Sequence, residues 1–273
     1  MSGTVRFSVI MGVYNPAGRR LFEAVESIVR QTAADWELLL LDDGSAEGYR
    51  PLIRRAARMD GRIRLIREEE NRGLAHALNR CIEEAAGAYL VRMDDDDLSL
   101  PDRLERQAAF LDAHPRFGWV GSNAELLDDK GVWGFRKMPE IPGARDFLFN
   151  SPYIHPSVTF RREVLRRAGG YDESPRLQLC EDYELFMRLH RLGERGYNIQ
   201  DPLLRYWEDY ASLQKRTYRR RIRETRVRWQ GFRELGLLDA AALPYVCKPL
   251  AAGMVPAPVH HYIRRKMQGT GGR

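Results

Sequence analysis

Four consecutive leucines, Leu38 to Leu41, stand between Trp36-Glu37 and Asp42-Asp43. A strand with one wet face alternates apolar and polar residues, because successive side chains point to opposite sides of a sheet. An unbroken apolar run suits a central strand covered on both faces. Strand–helix alternation around it points the same way, to an α/β fold with a mostly parallel sheet flanked by helices. Phe7–Met11 is a first strand, stopped at Tyr14-Asn15-Pro16, where Pro16 removes a backbone donor. Leu21, Val25, Ile28 and Val29 then recur at helical spacing. A charged helical stretch from Pro51 to Met59, a third strand near Ile63–Ile66 and a turn at Asn71-Arg72-Gly73 follow. Ala75, Leu78, Ile82 and Ala86 mark a helix that Gly87 ends. Ala88–Arg92 is a fourth strand, and Leu98–Leu104 reads as the start of another helix.

Beyond Gly118 the pattern loosens. Trp119-Val120-Gly121 suggests a strand, Asp128–Gly131 a hairpin turn, and Ser157–Phe160 a short strand after His155-Pro156. Glu181 to Leu192 has helical spacing. Ser212 to Leu235 reads as a long basic helix carrying Ile222, Trp229, Phe232 and Leu235, followed by a proline-containing tail. The expected division is a domain over residues 1–210 and a basic helical extension over 211–273.

Charge is unevenly distributed. Of the net +6, the segment Ser212–Arg233 carries 9 Lys/Arg against one acid, leaving 35 basic and 37 acidic residues elsewhere. A local anionic partner fits this better than nucleic acid. One reading sets the basic helix against an anionic membrane surface. The other packs its Ile222–Trp229–Phe232 face on the preceding domain. The opening residues run straight into a strand without a signal-peptide core, and no apolar run approaches the ~20 residues that cross a bilayer. Three separated cysteines, Cys81, Cys180 and Cys247, form neither a disulfide framework nor a CxxC site. A cytoplasmic location is expected, with peripheral contact at the cytoplasmic face of a membrane as an extension of it.

The chemistry concentrates at strand ends, where open α/β sheets bind ligands. Asp94-Asp95-Asp96-Asp97 directly follows the fourth strand. Hard cations such as Mg²⁺ or Mn²⁺ take one or two carboxylates and complete their shell with substrate phosphates. A solvated acidic loop, or charges complementing a helix dipole, is the plainer alternative. Asp42-Asp43-Gly44-Ser45 places a carboxylate where it can accept from a nucleotide base, or forms an ordinary turn. Glu181-Asp182 opens a helix, either as a cap or as a general base. His155 is a site residue or an ordinary rim histidine. No GxGxxG follows the first strand, which argues against a dinucleotide oxidoreductase. No glycine-rich basic loop stands there to support a nucleotidyltransferase.

In order and spacing these blocks resemble the family 2 glycosyltransferases, whose fold is called GT-A. The similarity runs from Phe7 to Tyr206. It rests on Ser8–Asn15, Gln31-Thr32 with Trp36–Ser45, Asn71–Ala75, Met93–Asp97 with Pro101–Leu104, Gly169–Asp172 and Glu181–Leu185. The resemblance implies an inverting, metal-dependent transfer from a nucleotide-diphosphate sugar, a UDP-sugar foremost, to a saccharide or lipid-linked hydroxyl in cell-surface polysaccharide or glycolipid synthesis. By the same resemblance Tyr14 stacks near the base, Asp43 bonds it, Arg72 sits near the phosphates and Asp94 meets ribose or diphosphate. Asp96 is the main ligand of Mg²⁺ or Mn²⁺, and Asp182 is the catalytic base. His155 and Glu181 are candidates on the acceptor side. The family's aspartate block has fewer acids, so Asp95 and Asp97 leave the ligand assignment open by one place, with Asp95 placed at the donor. The competing reading is a non-catalytic nucleotide-sugar or polysaccharide-binding module on the same fold.

Overall fold

The computed structural model describes residues 5–208 and 217–269. In chain order its elements are β1 (Phe7–Val13), α1 (Gly18–Val29), β2 (Trp36–Asp43), α2 (Arg50–Ala57), β3 (Ile63–Glu68), α3 (Leu74–Glu84), β4 (Tyr89–Arg92), β5 (Leu98–Ser99) and α4 (Arg103–Ala113). There follow β6 (Trp119–Asp128), β7 (Gly131–Arg136), β8 (Thr159–Arg161), α5 (Arg162–Arg167), α6 (Glu181–Arg191), β9 (Gly196–Trp207), α7 (Tyr218–Glu234), α8 (Leu243–Gly253) and α9 (Ala257–Gln268).

One sheet has the order β3-β2-β1-β4-β8-β6-β9-β5, with β7 paired to β6 off this path. Its first four strands are parallel, as the leucine run implies. The second half is mixed: β8 is antiparallel to β4 and β6, β6 is parallel to β9, and β5 is antiparallel to β9. The hairpin at Asp128–Gly131 turns β7 back on β6, and Gly131 supplies the positive φ of 110° that such a turn needs.

The leucines divide between two cores. Leu38 and Leu40 join Val9 and Met11 against Leu21, Val25 and Ile28 of α1 and Ile53 of α2. Leu39 and Leu41 point the other way, with Ile10, toward Leu78, Cys81 and Ile82 of α3. All four are fully buried, each contributing about 1.5–3 kcal/mol by removal from water. The second core also takes in Trp119, Phe186, and Val227, Phe232 and Val246 from the C-terminal helices. Among the described residues no helix is long and apolar enough to cross a membrane.

Several local expectations are corrected. Leu98-Ser99 is strand, because its backbone pairs with Arg205 and Leu204 of β9; helix begins only at Arg103. His155 enters a 3₁₀ turn, His155–Ser157, and the strand after it starts at Thr159. The C-terminal extension is helical, as expected, with Pro244 and Pro258 in first turns, where a missing N–H costs nothing. In α7 the buried face is Val227, Arg228, Gly231 and Phe232, whereas Ile222 and Trp229 are exposed. The face proposed from spacing is therefore split. Residues 212–216 of the expected basic helix lie outside the described residues.

Gly87 is the most instructive correction. Helix α3 ends three residues earlier, at Glu84, so Gly87 is not its terminator. The buried Ser8 hydroxyl donates to Glu37 Oε1 at 2.7 Å and accepts the Gly87 N–H at 2.8 Å. The same Glu37 oxygen accepts the Ala86 N–H at 2.8 Å. This network draws the α3–β4 link onto β1, leaving a Cβ at Gly87 only 2.6 Å from Ser8 N. Gly87→Ala should therefore cost about 1–3 kcal/mol as backbone is forced aside. Thermal denaturation checks this; an unchanged midpoint would contradict the close approach.

Candidate active site

Adjacent parallel strands put the carboxyl ends of β1, β2 and β4 on one rim. Tyr14, about half exposed, follows β1; Asp42-Asp43 closes β2; Asp94–Asp97 follows β4. Beyond β1 the Asn15 N–H donates to Ser45 Oγ at 2.9 Å, and the Ala46 N–H to Asn15 Oδ1 at 2.9 Å. The Asp43 carboxylate accepts the N–H groups of Arg72 (3.0 Å) and Gly73 (2.8 Å) and the Asn71 side-chain amide (2.9 Å). Gly44, at φ 68°, has no room for a side chain, because a Cβ would stand 2.4 Å from Asn71 N. The two sequence blocks are thus one knot. An ionised carboxylate has about four lone-pair sites, so these three bonds leave Asp43 about one for a ligand. The Arg72 guanidinium is exposed, 3.7 Å from Glu173.

Asp94, Asp96 and Asp97 bring carboxylate oxygens within 4.8 Å of one another. Asp97 is fully buried: Oδ1 accepts the Trp207 N–H at 2.7 Å, and Oδ2 has no protein partner. Burial, then the charges of Asp96 and Asp94, push Asp95 up to about 7 and hold Asp97 well above the usual carboxylate range. An all-oxygen donor set with an orphaned buried oxygen fits a hard divalent cation.

The countercharge is Arg92, at the end of β4. It is 1% exposed and donates from Nη2 to Asp94 Oδ1 at 2.5 Å. Its Nε and Nη1 have no partner. Arg92 and Asp94 line a cleft of about 670 Å³, within the range of small-ligand sites. Glu181, Asp182 and His155 line it too. The structure therefore brings the aspartate run together with the helix-opening pair. Tyr14, Asp43, Arg72, Asp95 and Asp96 are not among the lining residues, but Leu74, next to Gly73, is.

Glu181 and Asp182 sit in the first turn of α6, where its dipole favours negative charge. Leu179, just before them, holds an unusual φ of 67°. Burial raises the Asp182 carboxyl; the Tyr183 N–H and the charges of Arg220 and Arg92 moderate the rise. Glu181 is raised by burial and by Asp182, and its Oε2 has no partner. His155 is buried, with Nε2 2.8 Å from the Tyr171 hydroxyl. Burial and the nearby Arg92 hold its pKa well below the ordinary value, so it is neutral at pH 7.

Sequence reasoning missed Arg92, although an arginine in an apolar strand just before four acids was a visible signal. It also missed the contribution of the C-terminal helices. Arg220, Glu224 and Arg228 of α7 and Arg264 and Gln268 of α9 line the same cleft. Buried Glu208 pairs with both Arg136 and Arg264. No local pattern announces these long-range pairs.

A mixed sheet with carboxylates on its carboxyl rim, facing a helix that opens on a carboxylate pair, defines a class: α/β transferases of the GT-A fold. The comparisons agree. A profile of Glycosyl transferase family 2 matches residues 8–169. The Bacillus subtilis (strain 168) protein EpsE, which bears a provisional glycosyltransferase name, is 36% identical over 267 residues, spanning 97% of this chain and 95% of EpsE. An Escherichia coli UDP-Gal:alpha-D-GlcNAc-diphosphoundecaprenol beta-1,3-galactosyltransferase is 30% identical over 207 residues, 74% of each chain. S. aureus TarS 1-349, solved with UDP, superposes with a TM-score of 0.64 at 19% identity, over 90% of this chain and 70% of that one. The Pyrobaculum calidifontis mannosyltransferase PcManGT, solved with GDP-Man and Mn²⁺, gives 0.62 at 23%, over 96% and 80%. The chain belongs to glycosyltransferase family 2. It is a glycosyltransferase with a GT-A fold.

The raised Asp95 and Asp97 carboxyls have a consequence for pH. A carboxyl whose folded pKa lies above its unfolded value adds stability at low pH and loses it as pH rises through the folded value. In the metal-free protein this contribution should disappear between about pH 4 and 7. Mn²⁺ should offset the loss, so the gap in melting temperature between Mn²⁺ and EDTA samples should widen over that window. A gap independent of pH would contradict the cluster's charge state.

Proposed function

We propose that this glycosyltransferase is inverting and metal-dependent, moving a sugar from a UDP-sugar onto a saccharide hydroxyl, with residues 1–210 as the GT-A domain and 211–273 as an extension. The observation that carries this reading is the shared cleft of Asp94 with Glu181 and Asp182. The E. coli relative, whose name specifies a UDP-galactose donor and a diphosphoundecaprenol-linked acceptor, supports the choice of donor and favours a lipid-linked acceptor. Such an acceptor suits polysaccharide or glycolipid synthesis at the cytoplasmic face of a membrane.

Tyr14 offers a ring for the base, and the remaining acceptor site of Asp43 takes a base N–H. Arg72 lies near the donor phosphates. Asp94 and Asp95 complete the donor side. Asp96, with Asp94 and Asp97 beside it, would hold Mg²⁺ or Mn²⁺. When bound, the cation supplies Lewis-acid stabilisation of the leaving diphosphate. Asp182 takes the proton from the acceptor hydroxyl, whose oxygen attacks C1 opposite the leaving group, so one displacement inverts that carbon. The sugar passes through the oxocarbenium-like state known from glycoside hydrolysis. Glu181 and neutral His155 are candidates on the acceptor side, with His155 Nε2 2.8 Å from the Tyr171 hydroxyl.

Asp182→Asn should lower kcat by about 10²–10⁴ while donor affinity stays near wild type. Steady-state kinetics with calorimetric donor binding checks this, and full retained turnover would remove Asp182 from its role. Asp96→Ala should instead weaken Mn²⁺ and donor binding together. Because the Asp182 carboxyl is raised, the acid limb of kcat/KM should fall above the usual aspartate range, with rate lost as pH drops through it; an acid limb at pH 4 or below, about the unperturbed aspartate value, would point to another base.

A further inference from the structure

Helices α7 and α9 each present an apolar face to solvent on the side away from the cleft. In α9, Val259, Ile263, Met267, Tyr262 and Lys266 fall within an arc of about 140° at 3.6 residues per turn. All five are exposed, Met267 at 80% and Tyr262 at 66%. The opposite side of α9 is tied down. Arg264 pairs with Glu208, Arg265 pairs with Asp128 and lies 4.8 Å over the Trp133 ring, and Gly269 bridges to Gly134. The helix is thus held by its polar side with its apolar side outward.

Helix α7 does the same with different residues. Val227, Gly231 and Phe232 pack inward, whereas Tyr218, Ile222, Arg226, Trp229 and Arg233 share an exposed arc of about 80°. The two faces meet. The Tyr218 ring comes within 3.2 Å of a Cβ position at Gly253, and exposed Met254 and Val255 follow it into α9. Neither arc carries a carboxylate. Apolar side chains with an interfacial tryptophan and tyrosine, interspersed only with cations, match the requirements of a helix lying in the headgroup layer of an anionic bilayer.

We propose that the exposed faces of α7 and α9 dock this glycosyltransferase on an anionic lipid bilayer, with α9 lying between the lipid and the catalytic cleft. The inference deepens the proposed function and rests on it for its purpose. Arg264 and Gln268, on the polar side of α9, line the cleft, so a sugar carried on a membrane lipid reaches Asp182 past this helix.

The test is sedimentation of the full chain with vesicles of phosphatidylcholine, with and without phosphatidylglycerol. Wild type should bind the anionic vesicles, and high salt should weaken that binding. The pair Arg226→Gln and Arg233→Gln should reduce binding about 30-fold, from roughly 1 kcal/mol per cation. Ile263→Glu with Met267→Glu should reduce it at least as much, as apolar burial is replaced by charge. Both double variants should retain wild-type donor hydrolysis, showing that they fold. Asp182→Asn should bind vesicles like wild type, so failure of the catalytic assignment and failure of docking read out separately. The proposal is overturned if wild type ignores anionic vesicles, or if both double variants bind as tightly as wild type. It is equally overturned if light scattering traces the effect to loss of a dimer formed through these faces.

Discussion

One buried guanidinium stands between two groups of carboxylates. Arg92 touches Asp94 directly and, through its field, moderates the raised Glu181 and Asp182 carboxyls. Without it, the aspartates after β4 and the acids opening α6 would converge on one cleft with less to balance them at close range. The fold makes this possible by placing Arg92 as the last residue of a strand, so that its side chain reaches the rim while its backbone stays in the sheet. The cost of burying that charge is offset only because carboxylates surround it. Three features often treated separately, the strand-end acids, the helix-opening pair and the neutral His155–Tyr171 pair, are arranged around one cation.

The parallel half of the fold was legible in the sequence because its signals are local. The leucine run required cover on both faces, and helical spacing supplied the covering elements. The mixed half was legible only in part: β6, its hairpin and β8 had local signals, but β5 and β9 gain their identity from partners far along the chain. Leu98-Ser99 has nothing in its own sequence to show that it pairs with Leu204 and Arg205. Gly87 misled for a related reason: its constraint comes from Ser8, on another strand.

The site was legible as a set of motifs but not as a geometry. Strand-end position alone put Tyr14, Asp43 and the aspartate run on one rim. The knot between Asp43 and Asn71–Gly73 required distances, as did the orphaned oxygen of Asp97. The contribution of α7 and α9 was hidden because basic residues scattered over a long helix look alike until packing separates buried Arg228 from exposed Arg226. Arg228 spends its donors on the carbonyls of Leu148, Phe149 and Tyr245, a structural role that charge counting cannot distinguish from a binding one.

The knot at Asp43 and the helices over the far side of the cleft are built from different stretches of chain. The first 75 residues hold the rim around β1 and β2, and the C-terminal helices line the neighbouring cleft of Asp94 and Asp182. On the proposed assignment of donor and acceptor sides, a lineage built on this plan can change what receives the sugar while its grip on the nucleotide stays the same.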